Sequence, residues 1–190
     1  MSKNYILALC TAFILVISTL IFIIFFQETR HQGHLYVNVS GGLATATLGS
    51  YHLDSFPLVN FTAPVGTYPF TLKTDTFETT FPVTLTAGTA TIIDWQIGTT
   101  LPTSSGLLYE LQSLDNHQTQ LTVKSLPDQA LTEIDYDQQN SQITPFNLDN
   151  LSAGEHSLTL NLPGYTSLTA PFTLTPGYHL TITANLAQKQ

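Results

Sequence analysis

Cysteine is nearly absent. The single thiol, Cys10, lies in an apolar N-terminal run, so no disulfide can form within the chain. A cysteine-free remainder suits an oxidising exterior, where no thiol is left to misoxidise. Charge is also scarce. Only 9% of the 190 residues are charged, against roughly 25% in ordinary soluble domains. Basic residues are the rarest of these: Lys3, Arg30, Lys73, Lys124 and Lys189 are scattered, and the net charge is −8. Nucleic-acid binding needs clustered Lys and Arg against phosphate, and that class is excluded. Beyond Phe26 no segment carries a helical apolar stripe. What remains is rich in Thr, Ser, Asn and Gln, which points to an exported β-protein.

The signatures of catalysis are missing as well. There is no HExxH, Gly-x-Ser-x-Gly, P-loop or dinucleotide fingerprint, and no cysteine after the apolar run. His31 and His34 are three apart but have no third ligand beside them, so they read as a juxtamembrane linker. Glu133, Asp135 and Asp137 alternate on a strand and could gather oxygen ligands for calcium, yet the glycine and distal Glu of an EF-hand are absent. A solvated turn is the expectation there. Leu101-Pro-Thr-Ser-Ser105 lacks the Thr-Gly of a cell-wall sorting signal, and Asn38, Asn60 and Asn150 open glycosylation triplets by pattern alone. Tyr51, Tyr68, Phe70, Phe77, Phe81 and Trp95 could line a glycan surface. Alternation places Phe70, Phe81 and Trp95 inward, which makes core packing their expected role. No catalytic residue, metal ligand or cofactor is assigned.

Tyr5–Phe26 is an uncharged run of 22 residues. As a helix it would span about 33 Å, enough to cross a bilayer. It exceeds a signal-peptide core, and no small-x-small cleavage site follows. The expectation is an uncleaved anchor. Lys3 and the α-amino group precede it, while Glu28 and Arg30 offset each other after it. The positive-inside rule then puts residues 1–4 in the cytoplasm and everything after Gln27 outside.

The remainder repeats itself. Pro57, Gly66, Leu72 and Phe77 match Pro145, Gly154, Leu160 and Tyr165 at an offset of 88. Pro82, Leu85 and Gly88 match Pro171, Leu174 and Gly177 at 89, so one residue is inserted after the Pro163-Gly164-Tyr165 turn. Within each copy apolar residues recur every second position, as in Leu158, Leu160 and Leu162, with Thr or Asn between them. That is the period of a strand with one face in a core and one in water. Glycines separate the runs where turns are needed. The expected fold is all-β: two small Ig-like or prealbumin-like sandwich modules after the anchor. Their expected bounds are 34–98 and 119–188, with 27–33 a juxtamembrane linker and 99–118 a linker holding a possible edge strand. At about 65–70 residues each module is near the lower limit for an independent core, so the two are expected to lean on each other.

The second copy carries Thr144-Pro145-Phe146, Ala153-Gly154-Glu155-His156, Pro163-Gly164-Tyr165 and Pro176-Gly177. In this it closely resembles a PEGA domain. The name-giving motif stands as Pro127-Asp128-Gln129-Ala130, with Gln for Gly. Ile134-Asp135 is followed by Tyr136 where the family has Gly, and a longer loop is expected there. The first copy resembles the family weakly: Phe56-Pro57-Leu58 and Ala87-Gly88 are present, while Asp75-Thr76-Phe77 replaces Pro-Gly-Tyr. The resemblance implies extracytoplasmic envelope or surface modules, with no catalytic residue to carry over. Turn motifs specify fold far better than function. The leading expectation is a non-catalytic envelope module for binding, adhesion or scaffolding, whose partner is a cell-wall polymer or an envelope protein. The alternative is an accessory ectodomain of a membrane complex, and a weaker one is an envelope hydrolase.

Overall fold

The structure is a computed structural model that describes residues 31–53, 57–149 and 151–189. The helix expected over Tyr5–Phe26, its cytoplasmic N-terminus and residues 27–30 lie outside the described residues. Among those described, no helix is long and apolar enough to cross a membrane.

The described chain is all-β, with one short 3-10 turn at Leu101–Thr103. The first half holds β1 (Gln32–Ser40), β2 (Thr45–Leu48), β3 (Tyr51–Leu53), β4 (Leu58–Pro64), β5 (Gly66–Lys73), β6 (Glu78–Leu85) and β7 (Ala90–Gln96). A connecting strand follows, β8 (Ser105–Ser113). The second half holds β9 (Thr119–Leu126), β10 (Leu131–Ile134), β11 (Asp137–Ile143), β12 (Phe146–Asp149), β13 (Gly154–Asn161), β14 (Leu168–Leu174) and β15 (Tyr178–Asn185). β1 begins two residues before the expected module boundary.

The two halves have one topology. In the first, β1 pairs antiparallel with β4 and parallel with β7, while β2, β3, β5 and β6 form a second sheet in the order β3-β2-β5-β6. In the second, β9 pairs with β12 and β15 in the same senses, and the second sheet runs β11-β10-β13-β14. Cross-strand pairs recur too. Thr71 faces Thr80 with hydroxyls 2.9 Å apart, and Thr159 faces Thr169 at 3.3 Å.

The segment 99–118 departs from expectation. β8 is an interior strand, not an edge: it pairs antiparallel with β7 on one side and β15 on the other. It thereby joins both halves into one seven-stranded sheet, β12-β9-β15-β8-β7-β1-β4. Residues paired across a sheet point to the same face. Ile93, Leu108 and Thr183 share one face, and Asp94, Leu107 and Ala184 share the other. Leu108 is buried in the first core with Leu35, Val37, Phe70 and Ile93. Leu107 is buried in the second with Leu121, Leu158, Ile182 and Ala184. The two cores therefore lie on opposite faces of the shared sheet, and β8 feeds both. Its sequence explains this: in Leu107-Leu108-Tyr109 alternation with period two assigns consecutive apolar residues to opposite faces. The residues before β8 are tied down as well. The backbone N–H of Gln188 donates to Pro102 O at 2.7 Å, and Asn185 Nδ2 donates to Ser104 O at 3.1 Å.

Candidate functional site

The fused sheet creates a corner on each side of β8. Each half's second sheet covers only its own portion of the shared sheet. Its edge strand therefore overhangs the bare face of the other half. β6 overhangs β15 and β9, and β14 overhangs β7 and β1.

The first corner is a groove of about 380 Å³. Its wall is Thr79–Pro82 of β6, its floor is Lys124, Leu126, Thr183 and Asn185, and Trp95 and Gly106 close its end. Trp95 is only 6% exposed. Its ring stacks on Phe81 with centroids 5.5 Å apart and 14° between planes. Gly106 faces Trp95 across the β7–β8 pair, and a Cβ there would stand 2.2 Å from the indole Cε3. Glycine is thus the residue that lets β8 approach β7 over the indole. Trp95 Nε1 is buried with no hydrogen-bond partner among the described residues. Leu126 is 56% exposed on the floor.

The second corner, about 510 Å³, is lined by Asn38, Ile92, Asp94, Tyr109 and residues 171–173 of β14. Asn38 Nδ2 donates to Asp94 Oδ1 at 2.9 Å. Tyr109 Oη reaches from β8 to donate to the Pro171 carbonyl at 3.2 Å. Burial, helped by the Asp94 charge, pushes the Tyr109 phenol up to about 12, so the hydroxyl stays a neutral donor. On the opposite face the next residue of β8 acts on β6. Glu110 Oε1 accepts from Thr84 N at 2.7 Å. Neighbouring residues of one strand thus tether both overhanging edges.

The acidic triplet does not converge. Asp135 and Tyr136 form a two-residue hairpin turn, with φ of 54° and 61°, and Ile134 pairs directly with Asp137. The longer loop expected there is a tight turn instead, because Tyr136 takes the left-handed conformation itself. Asp135 is committed locally. Its Oδ2 accepts from His156 Nδ1 at 2.7 Å and its Oδ1 from Ser157 N at 2.8 Å. His156 Nε2 donates to Ser152 O at 2.8 Å, and the imidazole stacks on Phe172. Both ring nitrogens face acceptors, which favours imidazolium. Burial would lower the His156 pKa, but the bonds to Asp135 and Ser152 outweigh it and raise the pKa. The His156 hydrogen bond, then that of Ser157, lowers the pKa of Asp135. The His of Gly-Glu-His thus clamps the Ile-Asp turn. No group of three or more His, Cys, Asp or Glu among the described residues could hold a metal. His34 Nδ1 instead bonds Thr62 Oγ1 at 3.1 Å.

The remaining motifs are also turn chemistry. Thr144 of the Thr-Pro-Phe step accepts from Ala130 N through its hydroxyl at 3.0 Å and from Gln129 N through its carbonyl at 3.0 Å. This pins the Pro127–Ala130 loop, in which Gln129 has a φ of 69°. Of the aromatics, Phe70 and Trp95 are buried in the first core, with Tyr68 and Phe81 partly buried against it. Tyr51 is exposed beside Phe61.

Residues 118–190 match the PEGA domain family. The PEGA match thus begins just before β9 and covers the second half without β8. No curated protein matches the chain. One solved structure, titled "The Bacillus anthracis TIE protein", aligns with 83% of this chain at 11% identity and a TM-score of 0.31. The alignment covers 34% of that protein, so the chain spans about a third of its length.

The grooves were not foreseen from sequence. The signal that could have found them is the doublet Leu107-Leu108 in the presumed linker. Two adjacent apolar residues in a strand need two cores.

Proposed function

We propose that the chain is a membrane-anchored, extracytoplasmic, non-catalytic module that binds a component of the cell envelope. Tyr5–Phe26 is the anchor, and the described β-body is held outside. The observation that carries this reading is the single seven-stranded sheet shared by two halves of one topology. It presents two fixed corner grooves on opposite faces. The PEGA match over 118–190 supports an extracellular binding role. The first half, of the same topology, is read as a diverged copy of the PEGA module.

The test uses the full-length chain in detergent, mixed with isolated peptidoglycan and with solubilised envelope proteins. Retention on the polymer, lost after muramidase, supports a wall-binding anchor. A single co-purifying membrane protein supports the accessory-ectodomain form of the same reading, which the open edge of β6 favours. If protease added to intact spheroplasts leaves the β-body undigested until lysis, the external placement is wrong.

A further inference from the structure

We infer that the groove under β6 takes an extended peptide segment of a partner protein, which adds as a strand to the β6 edge and offers an apolar and an acidic side chain to the groove floor. The inference rests on the binding-module reading above and names its site and the chemistry of the partner.

The open edge follows from register. Thr84 turns its backbone outward, because its N–H donates to Glu110 at 2.7 Å and its carbonyl accepts from Thr91 Oγ1 at 2.7 Å. Neither group is spent on β5. Antiparallel pairs alternate, so the residues two and four earlier, Pro82 and Thr80, also turn their backbones outward. The side chains agree. Thr67 with Thr84, and Thr71 with Thr80, bond hydroxyl to hydroxyl at 3.2 and 2.9 Å, as expected of the closer, non-hydrogen-bonded pairs. Pro69 faces Pro82 in the same class of pair, so neither proline removes a rung between β5 and β6. This leaves the Thr80 N–H, the Thr80 carbonyl and the Pro82 carbonyl along the groove wall. Three main-chain groups so placed make a template for an added strand.

The other corner is closed to such a strand at the matching point. There Tyr109 bonds the Pro171 carbonyl, the counterpart of Pro82, so that acceptor is already taken. Under β6 the tether lies at the strand end, on Thr84.

The floor sets the side-chain chemistry. Lys124 and Leu126 are two apart on β9 and face the groove together. Leu126 is an exposed apolar surface beside Phe81 and Trp95. Lys124 has no ion-pair partner among the described residues, whereas Lys73 is paired with Glu78 at 3.8 Å. The Glu110 carboxylate of the same groove is engaged by Thr84 N, so the Lys124 ammonium beside Leu126 is left to complement a partner's carboxylate. A strand presents residues i and i+2 on one face, so the partner segment carries an aliphatic and an acidic residue two apart.

The test measures fluorescence polarisation of two labelled seven-residue peptides with full-length protein in detergent. Both alternate Thr with apolar residues. One carries Asp two residues from a central Ile, and the other carries Lys in its place. Binding of the Asp peptide is expected, weakened at least tenfold by Thr80→Pro, which removes the outward N–H and no backbone rung to β5, although the hydroxyl contact to Thr71 is lost with it. Lys124→Glu should weaken the Asp peptide and make the Lys peptide the better ligand. That reversal cannot come from misfolding, and unchanged thermal unfolding of Thr80→Pro guards the other arm. Failure of the Asp peptide to bind overturns the inference, as does binding that ignores both substitutions. If the chain is still retained by envelope fractions, the binding-module reading survives that failure. If Lys124→Glu abolishes retention on peptidoglycan while neither peptide binds, the groove takes a glycan and the peptide assignment is wrong.

Discussion

Of the three described non-glycine residues with left-handed φ, Gln129, Asp135 and Tyr136, the first and last stand where the PEGA resemblance has glycine. Gln129 and Tyr136 have φ of 69° and 61°. A left-handed conformation costs an L-residue roughly 1–2 kcal/mol, offset in part by the greater chain entropy glycine loses on folding. Gln129→Gly and Tyr136→Gly should each stabilise the protein by about 0.5–1 kcal/mol, read as a higher Tm. These are the positions where the PEGA resemblance calls for Gly and the chain has another residue, so the departure was legible. That the turn kept its geometry was not, because a sequence does not show whether a misfit residue bends or the loop grows. The Asp135–His156 pair gives a second expectation. The lowered Asp135 pKa contributes stability present above its ordinary value of 3.8 and lost as pH falls through the folded value. The raised His156 pKa contributes stability fully present below 6.5 and lost as pH rises through the folded value. Asp135→Asn should therefore lower Tm most between about pH 4 and 6.5, and the gap to wild type should narrow toward pH 9. A gap that widens with alkalinity would show that the imidazolium is not the stabilised form.

β8 is the element on which the architecture turns, and its two leucines should report on different halves. Leu107→Ala and Leu108→Ala each remove a buried side chain, at a cost of about 2–5 kcal/mol. The first should speed amide exchange in β10 and β13, the second in β2 and β5. Loss of protection in the same strands for both variants would refute the two-core assignment. Gly106→Ala drives a methyl into Trp95, and overpacking of this kind costs roughly 1–3 kcal/mol. The strands on either side were readable from period-two alternation and glycine punctuation. β8 was read only as a possible edge strand within a linker, because Pro102 and Ser104 before it carry a linker's composition. Its Leu107-Leu108 doublet signals two buried faces, but not which strands flank it.

At the level of the molecule, the halves are predicted to unfold together. A fragment of residues 118–190 lacks β8, leaving β15 with a bare edge and the second core without Leu107. It should show no cooperative thermal transition, whereas residues 105–190 should show one. Two separate transitions in calorimetry of the full chain would mean that the shared sheet does not couple the halves. The shared topology was foreshadowed by the matched prolines and glycines, but the flip of the second core to the opposite face was not, since repeats record similarity and not relative placement.

The strand directions add a mechanical property. β1, β7, β15 and β9 all run the same way, with β8 alone reversed between β7 and β15. Gln32 and Asn185 therefore sit at opposite ends of the shared sheet. Tension between them acts along the strands, so the hydrogen bonds of each ladder are sheared as a group instead of being peeled one at a time. A body built this way resists stretching along the axis on which a tether would pull.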